Sequence, residues 1–102
     1  MKKISITRIV VLLLLINAIK IPPEEVPVIE VSPEYLQAAA LATPWFIIDT
    51  TGSDEVIAHE RVHIKQMNEY GSVWFFIING YYLHKYGYHG NPFEIEAYKT
   101  GG

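Results

Sequence analysis

The stretch HERVH, residues 59–63, constrains the fold of this chain more than any other. It lies in a predicted helix that begins near Asp54 and ends at Gly71. At about 3.6 residues per turn, His59 and His63 stack on one side of this helix, and Glu60 falls in the same apolar half-circle. A buried carboxylate without a partner is costly, so the fold must bring a neutralising group to this side of the helix.

Zinc is the neutralising group that these residue types favour. His59 and His63 offer neutral imidazole nitrogens, and Glu60 is predicted to act as general base on a zinc-bound water. The chain has no cysteine, so any metal must be held by histidine and carboxylate. The competing interpretation is a pair of hydrogen-bonded core histidines, with Glu60 in a local salt bridge.

A closed site needs a third ligand, and the residues leave several candidates. Glu94 and Glu96 lie on a last predicted helix that Asn91 caps. Glu94 also fits a capping box, in which it reaches back to the backbone of Asn91. Glu96 is either a ligand or a solvent-facing residue. His84 and His89 remain candidates as ligands or as hydrogen-bond donors to a reaction intermediate.

The elements around the histidine helix predict an α+β, mostly helical domain. The segment PEYLQAAALA, residues 33–42, is predicted as a short helix, and WFIID, residues 45–49, as a strand. The apolar and aromatic segment 72–86 is predicted as a helix buried on most faces, followed by a loop at 87–92. A short strand or small sheet therefore precedes the histidine helix.

The N-terminal segment, residues 1–20, differs from the rest of the chain. Basic residues precede an unbroken apolar run, IVVLLLLI. This pattern is typical of a secretory signal or a membrane anchor, with membrane contact through residues 9–19, and also of a buried N-terminal strand. If residues 1–18 are a signal, the protein is secreted or membrane-anchored, and otherwise it is cytoplasmic.

The remaining residues are enough for one small domain. Residues 21–33, rich in proline and glutamate, are predicted as a linker or a draped strand, and residues 34–102 as the folded domain. The net charge is −3 and the basic residues after Lys20 are scattered, which argues against nucleic-acid binding.

Two segments together resemble a known family. HERVH, with a later helix that carries Glu94 and Ala97, resembles the zincin metallopeptidases of the gluzincin type. HERVHIKQ, an aromatic-rich helix and NPFEIEAY are also similar to small bacterial and phage-type proteins with the same layout. The resemblance covers residues 35–100 and implies Glu60 as the catalytic base. The zinc ligands that it implies are His59, His63 and Glu94.

The resemblance also implies an activity. A minimal zincin-like domain of this kind would hydrolyse peptide bonds in a peptide or protein substrate, with Zn²⁺ as cofactor and the strand WFIID lining the substrate cleft. Many gluzincins have an acidic residue four positions after the ligand glutamate, where this chain has Tyr98. Tyr98, His84 and His89 are the residues expected to stabilise the oxyanion or to orient a ligand. The alternatives are a non-catalytic domain stabilised by zinc and a membrane-associated accessory protein.

Overall fold

The computed structural model describes residues 5–18 and 20–101. In these residues the helices are α1 (Ile6–Ala18), α2 (Asp54–Tyr70), α3 (Ser72–Gly90) and α4 (Pro92–Thr100). The strands are β1 (Val28–Glu30), β2 (Ala40–Ala42) and β3 (Ile47–Asp49). Short 3-10 turns lie at Pro23–Glu25 and Pro33–Tyr35. The predicted α+β, mostly helical class is confirmed, and the small sheet precedes the histidine helix.

The sheet has the strand order β1-β3-β2, with β3 in the centre. β1 pairs with β3 in parallel and β2 pairs with it antiparallel, so that Ile48 lies between Ile29 and Leu41. Ile47 and Asp49 are buried, because alternate side chains of a strand point to the same face. β2 forms an edge of the sheet and contacts α2.

The ends of α2 match the signals in its sequence. The Ser53 hydroxyl caps its start by accepting a hydrogen bond from the backbone N–H of Val56 (3.3 Å). Gly71 ends it with a φ of 86°, a conformation that side chains rarely adopt. Asp49, at the end of β3, accepts a hydrogen bond from the backbone N–H of Gly52 (2.8 Å) and turns the chain from the sheet into α2.

The core forms where α2, α3 and α4 meet the sheet. The rings of Phe75 and Phe93 lie 4.9 Å apart and join α3 to α4. Ala97 is fully buried, and α4 packs against the rest of the domain at this small side chain. The buried apolar cluster consists of Val26, Ala42, Ile47, Ile64, Met67, Phe75 and Phe93.

The proline-rich segment covers the polar side of α2. The Arg61 guanidinium donates hydrogen bonds to the carbonyl oxygens of Pro23 and Val26. The Asn68 side-chain amide donates to the carbonyl oxygen of Ile21 (2.7 Å). Because this segment also supplies β1 and a buried core residue, it is the draped strand of the two alternatives rather than a linker.

Two predictions for the flanking elements are wrong. Residues 33–42 are a 3-10 turn followed by β2, because pairing with β3 and contact with α2 outweigh the helical preference of alanine. The predicted loop at 87–92 is mostly helix, since α3 continues to Gly90, although Gly87 leaves the helical conformation (φ 73°, ψ 177°). α3 is also more exposed than predicted, with Phe76 and Ile77 half-exposed.

The apolar N-terminal run is a helix, so the alternative of a buried strand is wrong for the described residues. α1 packs against α3 rather than joining the sheet. The Asn17 side-chain oxygen caps α3 by accepting hydrogen bonds from the backbone N–H groups of Val73 (3.0 Å) and Trp74 (3.3 Å). Asn17 of α1 therefore satisfies backbone N–H groups at the start of α3 that have no partner within that helix.

The signal and anchor interpretations also draw on Lys2, Lys3 and Ile19, which lie outside the described residues. Among the residues that are described, no helix combines the length and the apolarity required to cross a membrane. Both interpretations stay predictions.

We expect Gly71→Ala to lower the free energy of unfolding more than Gly52→Ala. Both glycines have positive φ, so a side chain strains the backbone at either position by about 1 to 2 kcal/mol. A Cβ at Gly71 would also overlap the Asn17 side chain and displace the cap of α3, which adds about 1 kcal/mol. A Cβ at Gly52 meets open space. Urea unfolding followed by circular dichroism measures the difference, and equal losses would contradict this account.

Candidate metal centre

His59 and His63 lie one turn apart on α2 and face the interior. Their exposed fractions are 7% and 8%, and their ring centroids are 4.9 Å apart. Ile64 and Met67, which lie on the same side of α2 at helical spacing, are fully buried core residues. The structure thus places both histidines on the core-facing side of the helix, where polar groups require partners.

Glu94 supplies that partner from α4. The Asn91 side-chain oxygen caps α4 by accepting a hydrogen bond from the backbone N–H of Phe93 (2.9 Å), which sets the first turn of the helix over α2. Glu94 Oε1 lies 2.8 Å from His59 Nε2 and 2.9 Å from His63 Nε2. The backbone N–H of Asn91 donates to a carbonyl of α3, so the alternative of a capping box is not adopted.

The orientation of Gln66 determines which nitrogen of His63 carries hydrogen. Gln66 is 1% exposed, and its Nε2 donates to the carbonyl oxygen of Phe93 (3.0 Å) and to Glu96 Oε1 (2.8 Å). Both partners are acceptors, so the amide oxygen, not the nitrogen, must face His63. The oxygen lies 2.8 Å from His63 Nδ1, which therefore donates the hydrogen bond.

This arrangement creates a site for a cation. With hydrogen on Nδ1, a neutral His63 presents the lone pair of Nε2 to Glu94 Oε1 at 2.9 Å. Two acceptors face each other at hydrogen-bond distance, and they repel unless a proton or a metal ion lies between them. His59 Nε2 is directed at the same oxygen atom. The three side chains thus converge as the ligands of one cation would.

The pKa shifts agree with a positive charge at this point. Burial by itself lowers the pKa of His63, but hydrogen bonds with Glu94 and Gln66 outweigh it and raise that pKa above its ordinary value. Burial raises the pKa of Glu94, but the hydrogen bond and charge of His63 outweigh it and lower that pKa. The environment therefore favours a cationic group next to an ionised carboxylate.

Glu96 does not join this group. Its carboxylate accepts the hydrogen bond from Gln66 Nε2. The alternative third ligand therefore lies on the Nδ1 side of His63, away from the Nε2 atoms of the two histidines. Sequence reasoning missed Gln66 as a functional residue. The available signal was its spacing, three residues after His63 on the same helix, which puts the two side chains in contact.

Glu60 and the two histidines line a cavity of about 380 Å³. Its walls come from α2, from the aromatic side of α3, from α4 and from residues 38–42, which include β2. Burial raises the pKa of the Glu60 carboxyl, and the charges of His63 and His59 oppose that effect only in part. WFIID was expected to line the cleft, but β3 is the central strand, and the edge strand at the cavity is β2.

Two tyrosines lie at the mouth of the same cavity. The hydroxyls of Tyr88 and Tyr98 are 2.8 Å apart, and both residues line the cavity wall. Partial burial and the hydrogen bond with Tyr98 raise the pKa of Tyr88, so this hydroxyl keeps its proton. His84 and His89 are exposed on α3 and are not among the described residues that line the cavity. Of the three residues expected near the reaction centre, the structure brings Tyr98 there.

The two histidines are held in place differently. Gln66 orients His63 by a hydrogen bond, as a neighbouring acceptor usually does for a zinc-bound histidine. Nδ1 of His59 is buried and has no hydrogen-bond partner among the described residues. The Tyr98 ring packs against this imidazole instead, with centroids 4.3 Å apart. Packing by Tyr98 thus stands where the resemblance leads us to expect an orienting carboxylate.

The three ligand atoms suit a zinc ion in type and number. Atoms of His59, His63 and Glu94 all lie within 4.8 Å of one another. Ligands about 2.0 to 2.1 Å from a tetrahedral zinc lie about 3.3 Å apart, so each nitrogen need separate from the carboxylate oxygen by only about 0.5 Å. The cavity lies on one side of the group, which leaves room for a fourth, non-protein ligand.

Comparisons with family models, with curated proteins and with solved structures find no match for this chain.

We expect Glu94→Gln to lose most of its zinc and Glu96→Gln to keep it. A neutral amide at position 94 removes the negative charge that faces both histidines, whereas an amide oxygen at position 96 still accepts the hydrogen bond from Gln66. The measurement is zinc content after equilibration with one equivalent of metal. If Glu96→Gln loses zinc and Glu94→Gln retains it, the assignment of the third ligand is wrong.

We expect Gln66→Met to weaken zinc binding by about 10- to 100-fold, because His63 loses the acceptor that orients its ring. Competition with a chelator measures the affinity. Lys65→Met is the matched control, since Lys65 is an exposed neighbour on the same helix. Equal affinities of the two variants would show that Gln66 plays no part in positioning His63.

Proposed function

We propose that this chain is a zinc-dependent metallopeptidase that hydrolyses peptide bonds. The proposal is carried by the convergence of His59 Nε2, His63 Nε2 and Glu94 Oε1 beside a cavity that Glu60 also lines. Two imidazoles and a carboxylate are a donor set of catalytic zinc sites. When bound, zinc supplies a Lewis acid that polarises a carbonyl group and lowers the pKa of water to about 7.

Glu60 is the general base in this proposal. It follows His59 directly on α2 and borders the cavity next to both histidines. Of the other carboxylates at the cavity, Glu94 is occupied by the histidines and Glu55 is exposed to solvent. Glu60 is therefore the carboxylate positioned to take a proton from the attacking water and to deliver it to the leaving amine.

The edge strand β2 supports a peptide as the substrate. β2 lies at the edge of the sheet, and its residues form a wall of the cavity. The backbone groups on the outer side of an edge strand can pair with an extended peptide, which would then lie along the metal centre. Alanines dominate this wall and Phe76 and Met67 lie in the cavity, so small or apolar substrate side chains fit it best.

Tyr88 and Tyr98 are the hydroxyl donors available to a tetrahedral reaction intermediate. Their hydroxyls are hydrogen-bonded to each other at the cavity wall, and Tyr98 also contacts the His59 ring. A protonated tyrosine there can donate a hydrogen bond to the negative oxygen that develops during hydrolysis. Tyr98 is one of the three residues that the sequence indicated for this role, and Tyr88 is added because its hydroxyl is paired with that of Tyr98.

We expect Glu60→Gln to retain zinc and to lose hydrolysis by about 10²- to 10⁴-fold, because an amide cannot accept the proton. The assay is cleavage of a mixed peptide library by the zinc-loaded protein, read by mass spectrometry, with zinc content measured on the same samples. Glu55→Gln is the matched control, since Glu55 is exposed, lines the cavity and lies one turn earlier on α2.

The outcomes separate the parts of the proposal. Retained zinc with lost cleavage in Glu60→Gln, and full cleavage by Glu55→Gln, support the assignment of the base. Full cleavage by Glu60→Gln would contradict that assignment. A zinc-loaded wild-type protein that cleaves no peptide would argue against the peptidase.

A zinc-stabilised domain without catalysis is the second candidate. One observation favours it: the histidines and Glu94 join α2 to α4, so a metal would tie the last helix to the domain. In that case zinc raises the midpoint of urea unfolding, Glu94→Gln abolishes this gain, and no peptide is cleaved.

A further inference from the structure

α1 exposes apolar side chains on every side. Seven consecutive residues, from Ile9 to Leu15, are each more than 40% exposed although α3 packs against the helix. Consecutive positions on a helix point in all directions, so this is not the single apolar stripe of a helix that packs against one partner. Exposed apolar surface of this extent marks an interaction site.

α3 extends this apolar surface. A groove of about 220 Å³ runs between the two helices, so their exposed side chains belong to one continuous face. Trp74 and Ile77 line the groove and are 57% and 56% exposed, and Tyr81 follows on the same side of α3. We call this the α1–α3 face. It is formed by residues 9–15 with Trp74, Ile77 and Tyr81.

Charge is segregated away from the α1–α3 face. All eleven acidic residues of the chain lie in residues 24–69 and 94–96, so neither α1 nor α3 contains one. The charged residues on these two helices are basic, with Arg8 in α1 and Lys85 in α3, and Lys20 follows α1. A protein with a net charge of −3 therefore has an apolar face bordered by positive charge.

The aromatic residues of α3 suit a boundary between apolar and polar surroundings. Trp and Tyr have an apolar ring and a polar tip, and they are enriched where proteins meet the headgroup region of a bilayer. Lys85 lies over the rings of Tyr81 and Tyr86, at 5.6 and 5.2 Å from their centroids, which keeps a positive charge beside the exposed aromatic residues.

We propose that the α1–α3 face docks this protein on the surface of a bilayer that contains anionic lipid. Acyl chains can contact the sides of α1 that α3 leaves exposed, while Arg8, Lys20 and Lys85 contact negative headgroups. The residues of the docking face do not line the cavity. It is lined by Phe75, Phe76 and Asn79, which are residues of α3 other than those on the docking face.

The test is cosedimentation of the full chain with two kinds of vesicle, phosphatidylcholine alone and phosphatidylcholine mixed with phosphatidylserine. We expect binding to the mixed vesicles to be at least about tenfold tighter, and to weaken as salt is raised, because the headgroup attraction is electrostatic. Arg8→Gln should reduce the preference for the mixed vesicles severalfold without changing the fold.

Two paired variants locate the docking face. Leu12→Glu with Trp74→Glu adds two negative charges on the face, and Ile29→Glu with Tyr35→Glu adds the same charge at exposed apolar positions outside it. We expect the first pair to abolish vesicle binding and the second to retain it. Circular dichroism and the midpoint of urea unfolding, measured on both, establish that each pair is folded.

Three results would overturn the proposal: no binding of the wild-type chain to the mixed vesicles, equal binding to both kinds of vesicle, or equal binding by the two paired variants. A wild-type chain that dimerises without lipid and ignores vesicles assigns the α1–α3 face to a second copy. Failure of peptide cleavage does not bear on this test, because docking uses neither the histidines nor Glu60.

Discussion

The side-chain amide of Gln66 determines which nitrogen of His63 carries hydrogen and which one faces Glu94. Its nitrogen is committed to two acceptors on α4, so its oxygen must take the hydrogen from His63. That leaves the other ring nitrogen as a lone pair opposite Glu94. These two atoms repel unless a proton or a metal ion lies between them, and either one attracts α2 and α4 to each other at this buried contact. The hydrogen-bond geometry is therefore compatible with the metal hypothesis that the HERVH pattern suggests.

The parts of the fold with local causes were predictable from the sequence. The limits of α2 follow from the Ser53 cap and the Gly71 stop, which act on the nearest turn of helix. The burial of the two histidines follows from the apolar periodicity of the same helix. α4 follows from Asn91 and proline at its start. The role of Glu94 was harder to predict. Its spacing from Asn91 fits a capping box as well as a metal ligand, and only the resemblance favoured the ligand.

The parts that failed depend on residues distant in sequence. The alanines of β2 have a helical preference, and only their pairing with β3 and contact with α2 make them a strand. The spacing of Gln66 from His63 is local, but partners 27 and 30 residues later decide which atom of its amide faces His63. The same limit explains why the sequence assigned the cleft wall to WFIID. Strand order, and hence which strand lies at an edge, is a property of the assembled sheet.

The start of α3 is capped by a residue of another helix. Its first free N–H groups bind Asn17, a residue of α1 that precedes them by 56 positions or more. The same helix contributes Phe75 and Phe76 to the cavity. The position of α1 therefore affects the start of α3, the helix that also supplies part of the cavity wall.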